Sequence, residues 1–342
     1  MDGVFVVDKQ AGLTSFDVVA RVRRATRQRR VGHAGTLDPM ATGVLLVCVG
    51  EATKLVPYLM DADKEYRATA RLGVRTDTDD AAPGSRVLEV APEAALQALR
   101  PEAVARELAA LVGEVVQRPP RFCALKVDGE RLYERARREL DAAGEAALDA
   151  ELAAKERPVR IDAIAIEALE LAGPAPSVTF TVRCGKGTYI RAVARDLGER
   201  LGVGAHLTAL RRLRVGRFQV EDGCSSSALE DIARGAVQPQ GLAAALRHLP
   251  SLVAPPELAG RLRQGHRGAL GELAQRLPPA DSAMIALDEQ GQLIAVLEPE
   301  HLPGGARWII GRGFTDQAAP APAPTLAKKT PAPARAGAPD AT

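Results

Sequence analysis

The chain contains, at residues 31–43, the stretch Val31-Gly32-His33-Ala34-Gly35-Thr36-Leu37-Asp38-Pro39-Met40-Ala41-Thr42-Gly43. It leads into an apolar run, Val44–Val49, that predicts a buried strand. The glycines permit positive φ, and Pro39 fixes the dihedral angle directly after Asp38, so the loop holds this carboxylate in place. Two interpretations are open. An isolated Asp-Pro is typical of a turn in which the acid caps a neighbouring amide, whereas the whole stretch favours a loop that displays a reactive acid.

The composition is that of a globular protein with an aliphatic core. Of the 342 residues, 46% are hydrophobic and 26% charged, but only 3% are aromatic. This length predicts one large domain and a smaller one. The formal net charge of +2 averages over strong local asymmetry, so it does not identify a partner.

The cysteines indicate neither a metal site nor a disulfide framework. They are widely separated, without a CxxC pair, and are expected to be buried thiols: Cys48, Cys123, Cys184 and Cys224. The apolar run at the N-terminus is too short for a signal peptide, and no segment approaches membrane-spanning length. We therefore expect a cytoplasmic protein.

Two segments are strongly basic. No acid lies between Asp17 and Asp38, and the helix predicted to start at a Thr14 or Ser15 cap ends in an arginine run. The polar positions of a predicted strand, Gly204–Val215, are also basic. Such segments are either solvated faces or phosphate-binding faces, and their proximity to the Asp38 loop favours the second. The residues of these two segments predicted to contact phosphate are Arg21, Arg24, Arg30, Arg211 and Arg212.

The remaining pattern alternates strands and helices. Further predicted strands are Gly3–Val7, Lys64–Gly73, Val159–Leu171 and Ser177–Cys184, and the predicted helices include Pro92–Leu111, broken at Pro101, and one that follows Gly185–Thr188. Arg75–Asp80 is interpreted as a polar surface turn. Arg191 falls in the first turn of the second helix, where the macrodipole disfavours a cation, so it is either exposed or paired with an acid from elsewhere.

Composition and hydrophobic pattern divide the chain into three regions. Residues 1–249 form the large domain, with a polar helical arm at about 131–157 that lacks a strong apolar stripe. Residues 250–314 carry short strands and turns and predict a small β-rich domain. Residues 315–342 are rich in Ala and Pro and are predicted to be a disordered tail.

Several motifs, in order along the chain, resemble the TruB-type pseudouridine synthases, which isomerise uridine 55 in the T-loop of transfer RNA. The resemblance runs from Gly3 to about Val220. Its motifs are Val7-Asp8-Lys9, the Gly32–Gly43 stretch, Gly50-Glu51-Ala52-Thr53-Lys54, Lys64-Glu65-Tyr66-Arg67, Ala124-Leu125-Lys126 and Gly185-Lys186-Gly187-Thr188-Tyr189-Ile190-Arg191.

The resemblance implies roles for single residues. Asp38 would be the catalytic nucleophile, Tyr66 would stack on the flipped base, and Arg191 would pair with Asp38 and favour its ionised form. Leu210 would line the pocket and His33 would help to displace the target nucleotide. The residues expected to contact RNA through these motifs are His33, Lys9, Lys54, Lys126, Tyr189 and Leu210.

A single carboxylate suits this isomerisation. Glycosidases use two carboxylates because the sugar is finally transferred to water, whereas here the cleaved uracil returns to the same sugar through C5. Asp38 would either attack C1′ or promote a glycal route through C2′. Neither route needs a metal or another cofactor.

The resemblance also implies an α/β (α+β) catalytic domain with a central mixed, mainly antiparallel sheet, a small PUA-like C-terminal domain that contacts RNA, and the tRNA T-arm as partner of a monomer. The sequence departs from the usual family pattern at Gln10, at Phe122-Cys123 and in the length of the arm. Two other functions stay open: an RNA chaperone that remodels tRNA without catalysis, and a metal-dependent hydrolase that uses His33 and Asp38.

Overall fold

The computed structural model describes residues 1–123, 126–127, 130–131, 142–279, 282–303 and 305–315. The strands are β1 (Gly3–Lys9), β2 (Val31–His33), β3 (Thr42–Val49), β4 (Lys64–Leu72), β5 (Val74–Thr76), β6 (Val87–Val90), β7 (Gly113–Gln117), β8 (Lys126–Val127), β9 (Glu130–Arg131), β10 (Arg157–Glu170), β11 (Ser177–Cys184), β12 (Ala205–Val215), β13 (Phe218–Gln219), β14 (Cys224–Ser225), β15 (Ser251–Val253), β16 (Met284–Leu287), β17 (Leu293–Leu302) and β18 (Gly305–Gly313).

The helices are α1 (Ser15–Thr26), α2 (Val56–Asp61), α3 (Glu93–Gln97), α4 (Pro101–Ala109), α5 (Ala142–Ala153), α6 (Ile190–Arg200), α7 (Glu230–Ala233), α8 (Leu242–Ala245), α9 (Pro256–Arg263) and α10 (Arg267–Ala274), with 3-10 turns at Gly50–Leu55 and Val220–Asp222. Within the described residues, none of these helices has the length and apolar character that a membrane span requires.

A central sheet organises the large domain. Its strand order is β14-β1-β3-β12-β4-β11-β10-β7, with β2 added to β3 and β13 to β12. Only the β1–β14 and β3–β12 pairs are parallel. The predicted mixed, mainly antiparallel sheet is therefore confirmed.

Strand β3 is buried on both faces. Leu45 and Val47 pack in the apolar cluster that contains helices α1 and α6, whereas Val44 and Leu46 pack in a second cluster on the other side. A strand covered on both faces consists of continuous apolar residues rather than an alternating pattern. This explains why the run that follows the Asp38 loop is so apolar.

Helix α1 begins where the sequence predicted. Thr14 is its N-cap: the Thr14 hydroxyl accepts a hydrogen bond from the Asp17 amide at 3.1 Å, and the Asp17 carboxylate accepts one from the Thr14 amide at 2.8 Å. The buried side of α1 carries Val18, Val19 and Val22. Its arginines are therefore left on the outer side.

Other predicted elements are also observed. The helical segment is broken at Pro101 into α3 and α4, and the helix predicted after Gly185–Thr188 is α6, which buries Ile190, Val193, Ala194 and Leu197. In the predicted arm, α5 buries Leu148 and Leu152. Much of the arm, residues 132–141, lies outside the described residues, as does the tail from residue 316 onward.

The C-terminal region has a sheet and an apolar cluster of its own, and it also shares a second cluster with the large domain. The order β15-β16-β17-β18 forms this second sheet, with α9 and α10 packed on one face. Ile285, Val296 and Phe314 belong to the same apolar cluster as Leu55 and Leu59 of the large domain. The second sheet therefore shares its other face with the large domain.

The cysteines are free thiols. Cys48, Cys123 and Cys184 are buried, as predicted, while Cys224 is only partly buried. Burial raises the pKa of Cys48 to about 12, so this thiol stays protonated and acts as a small apolar side chain.

We expect Phe314→Ala to destabilise the whole chain. Phe314 is completely buried in the shared cluster, and truncating a buried Phe to Ala costs about 3–5 kcal/mol through lost burial and the cavity left behind. Urea denaturation followed by circular dichroism and tryptophan fluorescence gives the free energy of unfolding. Val253→Ala, at a side chain that is 60% exposed, is the matched control and should change it by less than about 0.5 kcal/mol. A loss below about 1 kcal/mol in Phe314→Ala would contradict the shared core.

Candidate active site

The loop between β2 and β3 carries Asp38 and is held by backbone and hydroxyl groups. The Ser15 hydroxyl accepts a hydrogen bond from the Leu37 amide at 2.9 Å and donates one to the Leu37 carbonyl at 3.1 Å. The Gly12 amide donates to the Pro39 carbonyl at 2.8 Å. The residues on both sides of Asp38 are thus fixed to the turn that precedes α1. The sequence predicted that this loop fixes Asp38 in place, and these hydrogen bonds do so.

Lys9 is part of this support. It is completely buried, and its ammonium group donates to the carbonyls of Leu13 at 2.8 Å, Gln10 at 3.1 Å and Pro39 at 3.2 Å. Burial lowers the pKa of Lys9 to about 8, although the charge of Asp38 acts in the opposite direction. The prediction that Lys9 contacts RNA is therefore wrong for this structure, because its three donors are occupied inside the fold.

Arg212 supports the loop from the other side. It is 1% exposed, and its guanidinium donates to the carbonyls of Val44 at 2.7 Å, Gly35 at 3.0 Å and Thr36 at 3.3 Å. The predicted phosphate contact of Arg212 is wrong for the same reason as that of Lys9. The guanidinium also lies 6.0 Å from the centre of the Tyr66 ring, so Arg212 joins the loop to the aromatic wall of the site.

Gly43 sits against Arg212 at the point where the loop enters β3. Its φ is +100°, and a Cβ added at this position would lie 2.1 Å from the Arg212 carbonyl oxygen. The close approach of the two strands therefore requires glycine here, both for the backbone angle and for space.

Arg191 pairs with Asp38 through both carboxylate oxygens. Arg191 Nε lies 2.9 Å from Asp38 Oδ2, and Nη2 lies 3.3 Å from Oδ1. The Arg191 side chain is 5% exposed, whereas that of Asp38 is 32% exposed. Burial alone would lower the pKa of Arg191, but the charges of Asp38, Asp80 and Asp79 raise it above its ordinary value. Of the two interpretations of Arg191, pairing with a distant acid is the observed one.

Two backbone carbonyls complete the surroundings of Arg191. Nη1 donates to the Thr78 carbonyl at 2.9 Å, and Nη2 donates to the Phe122 carbonyl at 2.8 Å. Asp80 Oδ2 lies 3.8 Å from Nε, and the Asp80 side chain is 5% exposed. A guanidinium offers five donors in a fixed plane, so it can satisfy a carboxylate and two carbonyls at once.

The segment Arg75–Asp80 is not the surface turn that the sequence predicted. Thr76 and Asp80 are buried, and the carboxylates of Asp79 and Asp80 face the arginines of α6. The prediction failed because a run of acids and threonines is typical of an exposed turn. Here the arginines of α6, which is distant in sequence, pack against the segment and pair with its acids. Asp79 and Asp80 are site residues that sequence reasoning missed, and their only signal was two adjacent acids close to the Tyr66 strand.

Tyr66 and Leu210 form the apolar wall of the site. Both are 8% exposed and belong to the same cluster as Leu37, which precedes Asp38, and Ile190, which precedes Arg191. Burial raises the pKa of Tyr66 above its ordinary value, so its hydroxyl stays protonated. The structure therefore links Tyr66 to the Asp38 loop through Arg212, and it places Leu210 in the same apolar core as Tyr66.

Leu210, but not Tyr66, Asp38 or Arg191, lines a cleft of about 460 Å³, a volume within the usual range for ligand-binding clefts. Its lining residues are Met40, Thr42, Arg67, Thr69, Thr179, Thr208, Ala209, Leu210 and Arg211. Arg211 lines the cleft but is also paired with Asp8 at 2.8 and 3.0 Å.

His33 and Tyr189 flank the centre. Burial lowers the pKa of His33, so the imidazole is neutral at pH 7, and its Nδ1 has no hydrogen-bond partner among the described residues. The Gln117 side chain makes two hydrogen bonds to the Tyr189 backbone. It accepts one from the Tyr189 amide at 2.8 Å and donates one to the Tyr189 carbonyl at 3.1 Å. Gln117, 3% exposed, fixes the start of α6 and gave no sequence signal.

The remaining residues predicted to contact RNA differ in how exposed their side chains are. Arg24 is exposed on α1. Arg21 is exposed and donates to the Ser226 carbonyl at 3.4 Å, and Arg30 is exposed but paired with Glu51 at 2.7 Å. Lys54 is turned to the C-terminal region, where it donates to the Gly313 carbonyl at 2.8 Å. The side chain of Lys126 lies outside the described residues.

The described residues contain no group of three or more His, Cys, Asp or Glu side chains placed to hold a metal ion. His33 and Asp38 therefore have no third ligand in this part of the chain, and the hydrolase interpretation lacks a metal site there.

Comparisons with known proteins place the chain in a family. Residues 23–190 match the sequence model described as "TruB family pseudouridylate synthase (N terminal domain)", and residues 191–259 match "tRNA pseudouridylate synthase B C-terminal domain". Two proteins named tRNA pseudouridine synthase B are similar: that of Corynebacterium aurimucosum, 44% identical over 86% of this chain and 95% of its own length, and that of Geobacter sulfurreducens, 42% identical over 78% and 82%.

A solved structure shares the fold. The structure entitled "Crystal Structure of a Cbf5-Nop10-Gar1 Complex" superposes with a TM-score of 0.62 over 92% of this chain and 85% of that chain, at 24% identity. The identity to these relatives extends over most of their length, and the Asp38 loop and its pairing with Arg191 are consistent with the same family. The chain belongs to the TruB family of pseudouridine synthases.

Proposed function

We propose that this protein converts uridine 55 in the T-loop of tRNA into pseudouridine, with Asp38 as its catalytic carboxylate. The relatives described above are named tRNA pseudouridine synthase B, which supports tRNA as the substrate. The position within tRNA follows from the family resemblance of the motifs at Asp38, Tyr66 and Arg191.

One observation carries the choice of Asp38. Three carboxylates lie near Arg191, but only that of Asp38 is accessible: its side chain is 32% exposed, against 5% for Asp80 and 13% for Asp79. Asp80 is also tied to its own turn, because Oδ1 accepts from the Thr78 hydroxyl and the Ala82 amide. Asp38 is therefore the acid that a bound nucleotide can touch.

The pocket fits a base taken out of the RNA stack. Tyr66 and Leu210 give an aromatic and an aliphatic surface beside Asp38, and stacking on such surfaces offsets the few kcal/mol needed to unstack a base. His33 lies at the entrance of the loop as a neutral side chain, so it can enter the space vacated by the base without bringing a charge.

Asp38 then acts on the ribose of the flipped nucleotide. An Asp38 carboxylate oxygen bonds to C1′ as the C1′–N1 bond breaks and N1 keeps the bonding electrons. The uracil rotates, and C5 then bonds to C1′ while the C1′–Asp38 bond breaks and restores the carboxylate. C5 loses its proton and N1 gains one. Arg191 binds both oxygens of the Asp38 carboxylate and so fixes its orientation toward the sugar. In this role Asp38 is the nucleophile at C1′.

The exposed arginines of α1 account for RNA binding. Arg21 and Arg24 point outward from the helix whose start is joined to the Asp38 loop through Ser15. Neither Lys9 nor Arg212 contributes, since both are buried. The RNA backbone is therefore expected to lie along the outer side of α1.

We expect Asp38→Asn to abolish turnover and to retain RNA binding. Asn is nearly isosteric but cannot form a bond to C1′, so release of tritium from a T-arm transcript with 5-tritiated uridine should fall about 10³-fold or more, with an unchanged dissociation constant. A wild-type protein that binds and refolds tRNA but releases no tritium would instead be an RNA chaperone. Equal loss of binding and turnover in Asp38→Asn would make Asp38 structural.

The same assay separates the two routes at the sugar. Attack at C1′ leaves the C2′–H bond intact, so deuterium at C2′ should change the rate only slightly. A primary isotope effect of several-fold would assign Asp38 as the base of a glycal route instead.

Arg191→Lys should lower kcat about 100-fold with little change in RNA affinity. Lysine keeps the positive charge, but a single ammonium group cannot hold two carboxylate oxygens and the carbonyls of Thr78 and Phe122 together. Single-turnover rates with saturating enzyme measure the effect. Arg200→Lys on the same helix, 45% exposed, is the control. Full activity in Arg191→Lys would show that the charge alone matters.

RNA affinity should depend on salt through α1. If Arg21 and Arg24 each neutralise one phosphate, the slope of log affinity against log salt should become less steep by about 0.7–0.9 for each arginine changed to Gln. Filter binding of the T-arm between 50 and 300 mM salt tests this. Arg106→Gln, 72% exposed on α4, should leave the slope unchanged. An unaltered slope in the Arg21 and Arg24 variants would make this face merely solvated.

A further inference from the structure

Arg195 is a buried residue next to the surroundings of Arg191. It follows Arg191 by one helical turn on α6, so both side chains project from the same side of the helix. Its side chain is 6% exposed. The guanidinium contacts Asp79 Oδ2 at 3.4 Å, the Arg118 carbonyl at 2.8 Å and Asp196 Oδ1 at 2.7 Å.

The first contact of Arg195 fixes a carbonyl that Arg191 uses. Asp79 directly follows Thr78, whose carbonyl accepts from Arg191 Nη1. Asp79 also has a left-handed φ of 58°, an uncommon conformation for a residue other than glycine. The Arg195–Asp79 contact therefore holds the turn in the conformation that points the Thr78 carbonyl at Arg191.

The second contact lies on the segment that carries the other carbonyl. Arg195 Nη2 donates to the Arg118 carbonyl, at the start of the segment that leads to Phe122. The Phe122 carbonyl accepts from Arg191 Nη2. Arg195 thus binds both segments that supply Arg191 with acceptors, and it binds them to the same helix from which Arg191 projects.

We propose that Arg195 and Asp79 are positioning residues of the reaction, which aim Arg191 at Asp38 by fixing the carbonyls of Thr78 and Phe122. Neither residue touches the substrate in this arrangement. The inference rests on the proposed function, because it assigns a role toward the Asp38–Arg191 pair.

The charge of Asp79 is not explained by stability. Burial raises the pKa of Asp79 to about 6, although Arg195, Arg191 and Arg118 oppose the shift, while Asp196 acts in the same direction as burial. An acid whose folded pKa lies above its unfolded value stabilises the fold below about pH 4, and this contribution is lost as the pH rises through 6. At neutral pH the ionised Asp79 therefore lowers stability.

The variant Asp79→Asn separates positioning from support. Asn accepts the left-handed backbone and removes the charge. We expect an unchanged or higher Tm at pH 7, an unchanged KM and a kcat about 10-fold lower. Because protonated wild-type Asp79 is also neutral, the ratio of wild-type to variant kcat should decline from about 10 at pH 8 toward 1 at pH 5. A lower Tm with unchanged kcat, or a ratio that does not vary with pH, would overturn the proposal.

A double-mutant cycle tests whether Arg195 acts through Arg191. In Arg195→Lys the charge remains, but one ammonium group cannot bind Asp79 and the Arg118 carbonyl together. We expect about a 10-fold loss of kcat in the wild-type background and less than about 2-fold in the Arg191→Lys background. Equal factors in both backgrounds would show that Arg195 does not act through Arg191.

The outcomes distinguish this inference from the function on which it rests. A wild-type protein that releases no tritium overturns the proposed function, and this inference with it. An active wild-type protein with full activity in Asp79→Asn and Arg195→Lys overturns only the positioning role. Arg200→Lys serves as the control on α6 in both experiments.

Discussion

The ion pair between Arg191 and Asp38 is the constraint on which the site depends. It joins a helix and a loop that are 153 residues apart in sequence, and the two groups differ in exposure because only Asp38 must meet the substrate. A buried guanidinium is tolerated when it is paired and hydrogen-bonded, and Arg191 contacts one carboxylate and two carbonyls. The surrounding segments are therefore arranged to satisfy Arg191, and Arg191 in turn orients Asp38.

Basic residues take two distinct roles in this fold. Buried ones, Lys9 and Arg212, donate to carbonyls of an irregular loop that has few strand or helix partners of its own. Exposed ones, such as Arg21 and Arg24, remain available to an anionic partner. Net charge does not distinguish these roles, which is why a chain with a formal charge of +2 can still have a strongly basic surface.

The sequence predicted the central sheet, the capped helix and the Asp38 loop because their signals are local. Through family motifs it also predicted that Arg191 pairs with Asp38, and this ion pair is observed. The roles of Tyr66 and Leu210 toward the base stay predictions. The prediction failed for Arg212 because β12 is irregular: register shifts lie between Leu207 and Ala209 and between Arg212 and Arg214, and each shift changes which face a side chain takes. The surroundings of Arg191 were also unpredictable, since Asp79 and Asp80 are buried only by a helix distant in sequence.

The core shared with the C-terminal sheet has a mechanical consequence. Val44 and Leu46 of β3 lie in the same apolar cluster as Ile285, Val296 and Phe314, so the second sheet shares a core with the strand that continues from the reactive loop. Close-packed interiors have low compressibility and transmit strain. The C-terminal sheet therefore supports the base of the Asp38 loop through this shared core. Strain applied to that sheet would be transmitted toward the carboxylate.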